Sequence, residues 1–110
     1  MRADRLRAVL QRRMDALFDH VDVLVAAWPD VSPPLPARFG DGPDLPSWLT
    51  WQANCSGLPG VVVPCGFTAA GLPIGLQLVA RALDDGLALA AAHLYQQKTD
   101  WHRRHPPLAA

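Results

Sequence analysis

Hydrolysis by a side chain requires a nucleophile, a base within its reach and donors for the developing oxyanion. The chain offers Ser32, Ser47 and Ser56 as hydroxyl nucleophiles. Ser32 stands beside Pro33 and Pro34 in a loop, Ser47 is placed to cap a helix, and Ser56 precedes Gly57 at a helix end. None lies in a Gly-x-Ser-x-Gly elbow or a glycine- and serine-rich run. The one lysine, Lys98, falls near the end of the last expected helix and reads as a solvated surface residue. Of the four histidines, His102 and His105 belong to a basic tail with no acidic or cysteine partner nearby, which argues against metal binding there. His93 lies among alanines and His20 at a helix end, while Asp19 and Asp22 bracket that end without the look of a catalytic carboxylate pair. Cys55 and Cys65 form no Cys-x-x-Cys pair and read as two small buried thiols, with a disulfide or metal pair as the alternative. Asp41, between Gly40 and Gly42, marks a turn, and no phosphate-cradling motif is present. The residues thus assign no catalytic, cofactor-binding or metal-binding position, and no cofactor is expected.

The elements around these residues are legible. Residues 2–20 read as a helix, with Leu6, Val9, Leu10, Leu17 and Val21 at helical spacing and Arg5, Arg12 and Asp15 on other faces. Met1 falls almost on its first turn without a capping residue, so the chain reads as entering in the middle of a fold. Residues 21–29 are β-branched and apolar up to Pro29, as suits a strand buried in a sheet covered by helices. Residues 30–46 are rich in proline and glycine, a loop long enough to wrap a surface or line a site. Ser47 opens a helix through Trp48, Leu49, Trp51, Gln52 and Ala53 towards Gly57, with Pro59 blocking its continuation. Trp48 and Trp51 share one face of it, for packing or as the wall of an apolar pocket.

Residues 61–80 then read as an antiparallel hairpin with its turn near residues 68–71. Pro64 cannot donate to a ladder and marks an edge, a bulge or a strand end, and Gly75 marks close approach by a neighbour. Asp84 or Asp85 caps a final helix to about residue 98, with Leu87, Ala90, Ala91 and Leu94 as its apolar stripe. The tail from Trp101 onward is expected to fray, with residues 106–110 disordered. The order is α, β, α, β, β, α in one domain.

Composition bounds the function. The chain has 110 residues, half of them hydrophobic and 18% charged, with ten acidic residues, all aspartate, balancing nine arginines and one lysine. A neutral chain offers no basic field for nucleic acid. The apolar runs are short and broken, so no membrane span is expected, and without the apolar core of a signal peptide a cytoplasmic location is the default.

Residues 54–80, "NCSGLPGVVVPCGFTAAGLPIGLQLVA", resemble the C-terminal part of the amidase signature family, which takes in bacterial amidases and the A subunits of glutamyl-tRNA(Gln) amidotransferases. Upstream, "LFDHVDVLVAAWP" is similar to a family strand ending in Thr-Pro, with Trp28 in place of the threonine, and downstream "DDGLALAAAHLYQ" is similar to the helix after the hairpin. The resemblance covers about residues 5–105. It implies an α/β fold in which the hairpin belongs to a large mixed sheet flanked by helices at about 2–20, 47–57 and 84–98, residues 1–105 forming a partial amidase domain. It also implies that the Asn54 amide satisfies backbone groups beside a site. Family members hydrolyse amides with a Ser–cis-Ser–Lys triad, and no residue here matches a triad position. The expected role is therefore structural: sheet strands, helix packing and a pocket wall from residues 30–53. The expected partners are an upstream amidase fragment or a second copy of the chain, and the parent enzyme's substrate is a small-molecule amide. The alternative is a small non-catalytic binding protein derived from an amidase remnant.

Overall fold

The computed structural model describes residues 2–27 and 53–105. Helix α1 spans Arg2–Leu17, strand β1 Val23–Ala27, strand β2 Gly60–Phe67, strand β3 Pro73–Ala80 and helix α2 Asp85–Lys98. A helical turn at residues 53–56 precedes β2, and a 3-10 turn, Trp101–Arg103, follows α2. The strands form one open sheet in the order β1-β3-β2, both pairings antiparallel. The α/β expectation and the hairpin at 61–80 hold.

The hairpin closes over a turn at residues 68–71. The Gly71 N–H donates to the Thr68 carbonyl at 2.9 Å, the Thr68 N–H to the Leu72 carbonyl at 2.8 Å, and the Leu72 N–H to Thr68 Oγ1 at 3.1 Å. Gly71 has φ +79°, a conformation that glycine adopts without a Cβ penalty. Of the three readings of Pro64, the structure supports two. It lies on β2, at one margin of the described sheet, and it opens a bulge, since Pro64 faces Gly75 while Gly66 faces Ile74 and leaves Cys65 unmatched.

The core lies between the sheet and α2. Val63, Leu78 and Ala92 are buried together, with Val23, Val61, Leu76 and Tyr95 packed around them. Full burial of such aliphatic side chains contributes about 1.5–3 kcal/mol each. Asp84, one of the two proposed caps, is the one used: its Oδ1 accepts from the Leu87 N–H at 3.3 Å. The buried stripe of α2 differs from the expected one. Ala88 and Ala92 are buried, four residues apart, with Ala91 and Tyr95 half-buried, whereas Ala90 and Leu94 are exposed. In a run where almost every residue is apolar, periodicity leaves the face undetermined, and the small residues win because the sheet comes close.

Three further expectations need correction. Helix α1 ends at Leu17, and residues 18–20 form a turn instead of a last helical turn. Strand β1 is not buried in the sheet: β3 is its sole strand neighbour among the described residues, and Val25 is 61% exposed. The tail is ordered through residue 105, because Trp101 and Arg104 pack against the end of β2. The expected helix residues 47–52, the loop at 30–46 and the tail at 106–110 lie outside the described residues.

Candidate functional site

One face of α1 lines the one groove that stands out among the described residues. Ala3, Leu6, Arg7 and Leu10 follow the i, i+3, i+4, i+7 spacing of a single helical stripe, with Asp4 beside them and Cys55 contributed by the turn at 53–56. The groove encloses about 620 Å³. Helix α1 is rich in Ala, Leu, Arg, Gln and Met, all strong helix formers, so its backbone needs little tertiary help. The opposing turn is stopped by Gly57 at φ +72°. Its N–H donates to the Ala53 carbonyl at 2.9 Å, and the Leu58 N–H donates to the same carbonyl at 3.1 Å, the latter being the six-to-one bond of a Schellman cap. Ala53 and Leu58, at either end of this cap, are both buried. Ala3, Leu6 and Leu10 form the apolar part of this lining, and Asp4 and Arg7 its charged part.

The candidate nucleophiles and bases do not converge. Ser56 is buried and its hydroxyl donates to the Ala53 carbonyl at 3.3 Å, which ties it to the helix end. Lys98 is exposed at the end of α2. His93 is exposed and accepts from the Gln97 amide at 2.9 Å. Asp19 pairs with Arg81 at 3.6 Å, and Asp22 is exposed. The Asn54 side chain, expected to satisfy backbone groups beside a site, is exposed and hydrogen-bonds none of the described residues. Cys55 and Cys65 are unpaired, half-buried thiols, so the disulfide alternative is not realised, and no group of metal-ligating side chains occurs among the described residues. Ser32, Ser47, Trp28, Trp48 and Trp51 lie outside the described residues.

A second cluster, at the far end of β2, has no counterpart in the sequence expectations. The Phe67 and Trp101 rings meet at 6.0 Å between centroids, tilted by 59°. The Arg104 guanidinium lies 4.4 Å from the Trp101 ring centre and 5.9 Å from that of Phe67. Asp100 fixes it there, accepting from Arg104 Nη2 at 3.1 and 3.3 Å. Tyr95 adjoins this corner, and its carbonyl accepts from the Thr99 hydroxyl at 3.0 Å. Burial raises the Tyr95 phenol above its ordinary range, nearby Cys65 raises it further, and a hydrogen bond with Trp101 opposes them. The available sequence signal is the pairing of Phe67 at a strand end with an aromatic and an arginine just past the last helix, which only the hairpin brings together.

The Amidase family model matches residues 1–89 of the chain. The chain belongs to the amidase family. Similarity to individual members extends further along this amidase-family chain than the family model does. Those members are A subunits of glutamyl-tRNA(Gln) amidotransferases. That of Rippkaea orientalis is 38% identical over 114 residues, covering 98% of this chain and 23% of the relative. That of Roseiflexus sp. is 46% identical over 110 residues, covering 97% and 22%. That of Gloeobacter violaceus is 39% identical over 116 residues, covering 100% and 23%. The amidase chain therefore spans less than a quarter of the length of the curated relatives it matches. Among the described residues no helix is long and apolar enough to cross a membrane.

Proposed function

We propose that this chain is the C-terminal segment of an amidase-family hydrolase acting on carbon–nitrogen amide bonds, and that it supplies sheet, helix packing and groove wall while the Ser–cis-Ser–Lys triad comes from another part of the fold. One observation carries the reading: nearly the whole chain aligns with relatives of which it covers only 22–23%. The local chemistry is consistent with it. Ser56 donates to a helix-end carbonyl, Lys98 stands exposed at the end of α2, and the hairpin that carries the family resemblance holds the core residues Val63 and Leu78. In the parent enzyme an activated serine attacks the amide carbonyl, the amine leaves, and the acyl-enzyme passes its acyl group to water or to ammonia.

The test is turnover of a simple aromatic amide. The purified chain alone is expected to give none. Mixed with an amidase polypeptide that lacks the matching segment but carries the triad, it is expected to restore hydrolysis. Turnover by the chain alone, abolished by Ser56→Ala, would overturn the proposal. A second reading, a small non-catalytic interaction protein, draws on the exposed apolar side chains of β1 and β2, among them Val25 and Val62. A soluble complex with an unrelated protein, without restored hydrolysis in the mixing experiment, would favour it.

A further inference from the structure

We draw no further inference here: the strongest candidate, the buried Gln77 side chain on the face of β3 turned away from α2, whose Oε1 has no hydrogen-bond partner, carries none because nothing in the structure shows which group donates to it.

Discussion

The guanidinium of Arg81, one residue past the central strand β3, donates to the carbonyl of Phe18, one residue past the first helix. Sixty-three positions separate the two residues in sequence. The bond satisfies a carbonyl that the end of α1 leaves without a helical partner, and it places a positive charge at the negative pole of the helix. Phe18 is itself buried, so the same residue anchors the helix end through its ring and through its backbone. Asp19 Oδ1 lies 3.6 Å from the same guanidinium nitrogen.

Arg81→Ala is accordingly expected to loosen the junction between α1 and β1 without unfolding the hairpin. Arg81 is half exposed, so the ion pair with Asp19 contributes little. The loss should be about 0.5–1.5 kcal/mol, set by the hydrogen bond. Amide exchange should rise at residues 18–20 and stay unchanged at Leu78. Equal acceleration at both would show that Arg81 supports the whole fold.

Leu78→Ala removes a side chain from the centre of the core and should destabilise by about 2–5 kcal/mol. Leu94→Ala, on the same apolar helix the sequence pointed to, should cost less than about 0.5 kcal/mol because Leu94 is exposed. The midpoints of denaturant unfolding decide the matter. Similar losses at the two positions would mean that α2 packs on the leucine face and not on Ala88 and Ala92.

Gly57→Ala tests the cap. An added Cβ meets nothing closer than Gln11 Nε2 at 3.9 Å, so any cost comes from the backbone at φ +72° alone. About 1–2 kcal/mol is expected. Gly57→Asn should cost less, because asparagine tolerates this region. Equal losses for the two substitutions, read by thermal melting, would point to a steric cause.

Tyr95 is the single tyrosine of the chain, so its phenolate can be followed by ultraviolet absorbance without overlap from another tyrosine. Its ionisation in the folded protein lies above the ordinary value of 10.0, from burial first and Cys65 second. A folded-state value above the unfolded one means that the unfolded chain loses its proton first as pH rises. The stabilisation is fully present below about pH 10 and is lost above it, through the folded-state value. Cys65→Ser should lower the ionisation midpoint partway towards 10.0, leaving the part due to burial. A midpoint at or below 10.0 in the folded wild-type chain would contradict this environment.

What the sequence determined by itself is local. The hairpin at 61–80, its turn at 68–71, the stop at Gly57 and the aspartate cap of the last helix each depend on a few neighbouring residues. There, proline, glycine and aspartate have few conformational choices, and all four features appear in the structure. The family resemblance was legible for the same reason, since Gly71 takes the left-handed conformation of the hairpin turn and Pro73 opens β3.

The tertiary structure alone decided what lies beside what. Val23–Ala27 is apolar enough for a central strand, yet it stands at one side of β3, because strand order depends on contacts dozens of residues apart that no periodicity encodes. The choice of Ala88 and Ala92 over Leu89 and Leu94 of α2 and the joining of Phe67 to Trp101 and Arg104 are decisions of the same kind. Local pattern fixes the backbone conformation of a segment and the directions its side chains take. Whether an apolar face is covered depends on how closely another element can approach it, and that is a property of the assembled chain.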